Sequence, residues 1–176
     1  MNRTSSRGLL ALAVALAAGG AHAYPDGAPW GASDPDATES CASCHYDYDP
    51  VMDSAAIAVE GLPDSVTPGA RYSLSVAFDA ETAVTTGFQL TVLAAGGDGG
   101  AFTSSDDDIE VAGAAARSTS PKPAGGTTRW LLEWQAPTVA FERIEFLVAA
   151  SAANDDQSPL GDTIHYRAFD ITDAKE

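Results

Sequence analysis

In Arg71-Tyr72-Ser73-Leu74-Ser75-Val76-Ala77-Phe78-Asp79, every second residue is large and apolar. Tyr72, Leu74, Val76 and Phe78 fall on one side, with polar or small residues on the other. Period two is the signature of a strand with one buried face. The same period returns along the chain. Phe88, Leu90 and Val92 share a face, as do Trp130, Leu132 and Trp134, with Glu133 and Gln135 opposite. Ile144, Phe146 and Val148 oppose Arg143 and Glu145, and Ile164 and Tyr166 oppose Thr163, His165 and Arg167. Ile57-Ala58-Val59-Glu60 is a shorter run closed by Gly61-Leu62-Pro63. No long segment carries a helical period, and no internal repeat is visible. Several short strands separated by turn residues predict an all-β protein, an antiparallel immunoglobulin-like β-sandwich. Within it, Gly96-Gly97-Asp98-Gly99-Gly100 predicts a flexible link, and the low-complexity stretch Ala112 to Gly126 predicts an exposed loop.

Upstream of the strands the texture differs. Arg3 and Arg7 without acids, an apolar run from Leu9 to Ala18, and Ala21-His22-Ala23 have the order of a secretory signal peptide cleaved after Ala23. The apolar run is too short to span a bilayer, and no later segment is apolar enough, so the chain is expected not to be membrane-spanning. Residues 24–54 are rich in Pro, Gly and Asp and lack periodicity, which predicts an irregular arm. The expected organisation is a signal peptide over 1–23, an arm over 24–54 and a sandwich over 55–176. The 153 residues left after cleavage suit one domain with a substantial core.

The arm holds the one motif that speaks of chemistry: Cys41-Ala42-Ser43-Cys44-His45, a complete C-x-x-C-H. Two thiols at this spacing can each add across one vinyl group of haem, and the adjacent imidazole then meets the iron. These are the chain's only cysteines. A disulfide is the rival reading for an exported protein, but a two-residue loop gains little from closure. A redox dithiol would sit between a strand and a helix, not in an irregular arm. The motif therefore predicts haem c, with Cys41 and Cys44 as attachment points and His45 as proximal iron ligand. The arm is too short and too polar to bury a porphyrin alone. The expected cover is the sandwich, the aromatics Trp30, Tyr46 and Tyr48, or a subunit contact.

Val59-Glu60-Gly61-Leu62-Pro63, Thr67-Pro68-Gly69 and Tyr72-Ser73-Leu74-Ser75-Val76 open a series of ordered motifs. Gly87-Phe88-Gln89-Leu90, Trp134-Gln135-Ala136-Pro137, Ala152-Ala153-Asn154 and Gly161-Asp162-Thr163-Ile164 continue it. In this order they resemble a bacterial reelin-like (Reeler, choice-of-anchor V) domain over about Ile57 to Tyr166. Members of that group often carry a C-x-x-C-H just upstream of the sandwich. Two departures stand out. His165 intervenes before Tyr166, where a tyrosine commonly follows Gly-Asp-x-Ile directly. The C-terminal anchor that names the group is not found in the sequence, which predicts a freely soluble protein.

Three residues compete for the sixth position on iron. His165 lies on the polar side of its strand, where it reads either as a ligand or as a surface histidine. Met52 follows His45 by seven residues, barely enough chain to pass the haem edge. Tyr24 would begin the mature chain as Tyr24-Pro25, a layout similar to cytochrome f, in which the free α-amino group of the first residue completes the site. That resemblance implies the same role for the amine of Tyr24.

The whole chain counts 9 Lys and Arg against 25 Asp and Glu, a net −16. Cleavage removes two basic residues and no acid, so the mature net charge is −18. This surface repels nucleic acid and favours either a basic partner or hydration in a saline medium. Asp106-Asp107-Asp108 and Asp155-Asp156 lack the spacing of a calcium loop. No nucleophile elbow or zinc signature is present, which predicts no enzyme. The expected function is one-electron transfer by a periplasmic or secreted mono-haem c-type protein with a redox partner protein. The alternatives are a haem-based sensor or small-ligand binder with an open sixth site, and a haem-free surface interaction module.

Overall fold

A computed structural model describes residues 27–95, 97–139 and 141–172. The signal segment, Tyr24 and the last four residues lie outside that range. Among the described residues, ten strands and one short helix, α1 (Cys41–Cys44), account for the regular structure. In chain order the strands are β1 (Ile57–Glu60), β2 (Arg71–Asp79), β3 (Thr85–Ala94), β4 (Ala101–Thr103) and β5 (Ile109–Ala112). They continue with β6 (Ala115–Ser118), β7 (Lys122–Pro123), β8 (Thr127–Gln135), β9 (Arg143–Ala153) and β10 (Thr163–Thr172).

The strands form two antiparallel sheets packed face to face. One has the order β1-β2-β8-β4 and the other β10-β9-β3-β6-β5, with β7 paired to one end of β3. Tyr72, Leu74, Val76 and Phe78 alternate with Ser73 and Ser75, and their face is the one turned inward. Trp130, Leu132 and Trp134 on β8 and Phe88, Leu90, Phe146 and Val148 on the facing sheet complete the core. Aromatic pairs cross the gap: Phe88 meets Trp130 at 4.7 Å, and Phe146 meets Trp134 edge-on at 5.0 Å. Each such pair adds about 0.5–1.5 kcal/mol beyond the area it buries.

Two expectations about irregular segments are corrected. The stretch Ala112 to Gly126 is not an exposed loop. It contains β6 and β7, and Ala116 is fully buried opposite Leu90. Its small residues let the strand lie flush against the core, which composition alone reads as a linker. Within the expected link, Gly97 and Asp98 are exposed but Gly99 and Gly100 are buried. Gly99 accepts the indole N–H of Trp134 at 2.9 Å, and Gly100, at φ +83°, leaves no room for a Cβ against the Gln135 carbonyl.

The arm packs on the outer face of the larger sheet. Its end, Val51, exchanges backbone hydrogen bonds with Ile164 and Tyr166 and so covers the free edge of β10. Both faces of β10 are therefore covered at this end. This corrects the expected placement of His165: its face turns toward the space between the sheets, while Ile164 and Tyr166 pack beneath the arm. Alternation identified two faces but could not say that each would have a cover.

Candidate functional site

Register on the larger sheet explains how an irregular arm is held in place. Tyr166, Ala149, Gln89 and Arg117 form one row across β10, β9, β3 and β6. Three of the four tether the arm. The Tyr166 hydroxyl accepts the N–H of Ala42 at 2.9 Å. Gln89 accepts the N–H of Ser33 at 3.0 Å and donates to the Pro29 carbonyl at 2.8 Å. Arg117 donates to the Ala28 carbonyl and stacks its guanidinium 4.3 Å from the centre of the Trp30 ring. Ala149, the small member, leaves the space into which Cys41 and Ala42 pack.

These tethers shape the motif. Ser40 precedes a single helical turn, and the N–H groups of Cys41, Ala42 and Ser43 are taken by Ala32, Tyr166 and Ser40. The donors that a helix start leaves orphaned are thus satisfied without a side-chain cap. A helical turn also places Cys41 and Cys44 three apart on one face, with His45 one step on. All three line a cleft of about 320 Å³ between arm and sheet, within the size range of small-molecule sites. The cleft's floor is the next row of the sheet, Ile164, Ser151 and Gly87. Gly87 is the low point, since a Cβ there would stand 3.1 Å from the Ser118 hydroxyl and 3.4 Å from that of Ser151. Gly27, Ala28 and Pro29 form the opposite lip.

His45 Nδ1 lies 2.9 Å from Oδ2 of Asp162, which is 3 % exposed. Oδ1 of the same carboxylate accepts the N–H of Asn154 at 3.1 Å. In the neutral ring, a carboxylate facing Nδ1 places the proton on that nitrogen and leaves the lone pair on Nε2. This is the arrangement in which protein imidazoles bind metal. The Cys41 thiol differs from those of exchange catalysts. Both cysteines are free, and burial, with Cys44 beside it, pushes the Cys41 thiol up to about 12. Dithiol oxidoreductases depend on a lowered value instead. Two free thiols, an imidazole oriented by a buried carboxylate, and a glycine in the floor could hold a covalently attached porphyrin.

The candidates for the far side separate. His165 Nδ1 bonds the Ser54 hydroxyl at 2.8 Å, and its ring meets Phe78 edge-on at 5.0 Å, on the opposite face of β10 from Cys41. Burial holds its pKa below the ordinary 6.5. Met52 is exposed and lines a separate, smaller hollow with Tyr166 and Arg167. Neither lines the motif's cleft. Tyr24 lies outside the described residues, three positions before the lip residue Gly27. Tyr46 and Tyr48 are 61 % and 58 % exposed and stand away from the cleft.

The acidic runs are engaged locally. Asp106 bonds Lys122 Nζ at 2.8 Å, which holds its carboxyl below the usual range, while Asp156 accepts from the Asn154 amide. Among the described residues, no group of three or more His, Cys, Asp or Glu is placed to hold a bare metal ion. Haem needs no such group, because its ring supplies four of the iron's ligands. Sequence reasoning missed Asp162, Gln89, Tyr166 and Arg117 as parts of the site. The available signal was a polar residue inside an apolar strand, Gln89, and an acid directly before β10.

No family model and no curated protein matches the chain. Solved structures do. The Reelin-N domain of F-spondin aligns at TM-score 0.53 and 18% identity, covering 74% of this chain and 95% of that one. A human F-spondin reeler domain aligns at TM-score 0.49 and 19% identity, over 71% and 92% of the two chains. At these identities the likeness is one of architecture. The chain has a reelin-like β-sandwich fold.

Proposed function

We propose that this chain is an exported mono-haem c-type protein acting in one-electron transfer in the periplasm or outside the cell. Cys41 and Cys44 would hold the cofactor and His45 would ligate its iron through Nε2. Each thiol adds its S–H across one vinyl double bond, forming one C–S and one C–H bond, so attachment consumes no oxidant or reductant. When bound, haem c supplies a one-electron couple. The observation that carries the reading is His45, fixed by buried Asp162 on the wall of a cleft that it shares with both thiols. Residues 27–54 contain six acids and no lysine or arginine, which suits a redox partner with a basic face.

For the sixth position we favour the α-amine of Tyr24, because the chain enters along the cleft's lip at Gly27. With an ordinary pKa of about 8, that amine can coordinate once deprotonated. A sensor or small-ligand binder with an open site is the second reading, supported by the position of His165 and Met52 away from the cleft. A haem-free interaction module is compatible with the fold of the F-spondin domains.

Expression of the full chain with haem-maturation machinery separates the three. A covalent mass increment of one haem with sharp α and β bands on reduction supports the electron carrier. Carbon monoxide binding without displacement of a ligand supports the open site. A mature protein without covalent haem leaves the interaction module. Extending the mature N-terminus by a few residues should alter the haem spectrum, and an unchanged low-spin spectrum would rule out Tyr24.

A further inference from the structure

We infer that Asp162 strengthens His45 as an electron donor to iron and so biases the centre toward its oxidised state. The inference rests on the haem reading above and deepens it.

The argument is geometric. The Asp162 carboxylate is almost completely buried, and among the described residues no lysine or arginine pairs with it. It receives one neutral backbone donor, Asn154 N–H, on Oδ1, while Oδ2 faces only the imidazole. Its negative charge is therefore compensated chiefly through the His45 Nδ1–H bond. In a site of low dielectric such a bond is strong and polarises the ring. Electron density shifts toward Nε2, which becomes the more basic ligand atom. A more basic axial nitrogen stabilises ferric over ferrous iron and lowers the midpoint potential, with hydrogen bonding to the ligand as the protein's lever.

The carboxylate is also locked in position. Gly161, the preceding residue, donates its N–H to Asp47 of the arm at 3.0 Å. Asn154 caps the β9–β10 loop by bonding the Leu160 carbonyl and Asp156. Asp162 is thus held from the arm and from the sheet together. A carboxylate needed only to close a turn would have no reason to be aimed at a histidine 117 positions away.

The test compares midpoint potentials of the haem-loaded wild type, Asp162→Asn and Asp162→Glu, with covalent loading checked by mass. Asparagine keeps an oxygen for Asn154 N–H and removes the charge. It should lower the ferric-to-ferrous ratio at a fixed potential by about tenfold or more, a rise of ~59 mV per tenfold for one electron. Asp162→Glu should stay within about threefold of wild type. Equal midpoints for wild type and Asp162→Asn, with haem attached to both, overturn the inference and leave the haem reading standing. Absence of covalent haem from the wild type overturns the haem reading instead. If Asp162→Asn does not fold, nitrogen-15 spectra of the haem-free full chain decide. His45 carrying its proton on Nδ1 supports the inference, and a proton on Nε2 overturns it.

Discussion

Replacing Gln89 by leucine removes the arm's central tether while keeping side-chain bulk against Ala149. Gln89 is 1 % exposed, as is Ser33, whose N–H it accepts. With leucine in place that N–H has neither partner nor water, a cost of about 1–3 kcal/mol. The Pro29 carbonyl is half-buried and regains some hydration, so losing its 2.8 Å donor costs less, about 0.5–1 kcal/mol. The sum, about 1.5–4 kcal/mol, falls on docking of the arm and not on the sandwich, whose core contacts are untouched. Native-state hydrogen exchange reads this directly. Protection of the Cys41 amide, bonded to Ala32 at 3.0 Å, should fall about 10- to 700-fold at 1.4 kcal/mol per tenfold. Amides of Leu74 and Leu132 should change by less than about threefold. Unchanged protection at Cys41, or an equal loss in β2 and β8, would refute the view that Gln89 holds the arm as a separately opening unit.

Gly87→Leu should fill the cleft floor between Ser118 and Ser151 and cut covalent haem incorporation at least about tenfold. Near-ultraviolet circular dichroism checks that Trp130 and Trp134 keep their packing. His165→Gln should leave the haem spectrum of the loaded protein unchanged, because the ring lies on the far face of β10. It should also flatten the acid side of the stability profile. Burial depresses the folded pKa, so the unfolded chain takes the proton first. The wild type therefore keeps the full contribution above 6.5 and loses stability as pH falls from there toward the folded value. Urea titrations across that range, wild type against variant, measure the difference, and parallel profiles would contradict it.

The core strands were legible because each has one buried and one wet face, and period two records that contrast directly. Arg71 to Asp79 and Trp130 to Gln135 needed nothing more. The same rule failed where its premise failed. On β10 the arm covers Ile164 and Tyr166 while the opposite sheet covers His165, so polarity no longer marks the surface. It also failed at β6, where alanines fit a crowded neighbour and composition carries no trace of that neighbour. Cys41, Cys44 and His45 were legible as a group because their spacing is local, and the fold brings all three to one cleft. Asp162 was not, because its role depends on a contact across 117 positions that only the β9–β10 register creates.

That dependence explains why the arm needs the sandwich. A four-residue helix has no stability of its own, since nucleation alone is unfavourable. Here the N–H of Cys41 is held by the arm, that of Ala42 by the sheet, and the histidine that ends the turn by the β9–β10 loop. The sandwich contributes rigid rows whose side chains point outward at fixed spacing. One row is long and polar where the arm must be gripped, and the next is small where the cleft must stay open. Tyr166, Gln89 and Arg117 grip; Ser151 and Gly87 make room. An unstructured motif would present its thiols and imidazole in many arrangements. Fixed on these two rows, it presents both thiols and one oriented lone pair to a single cleft.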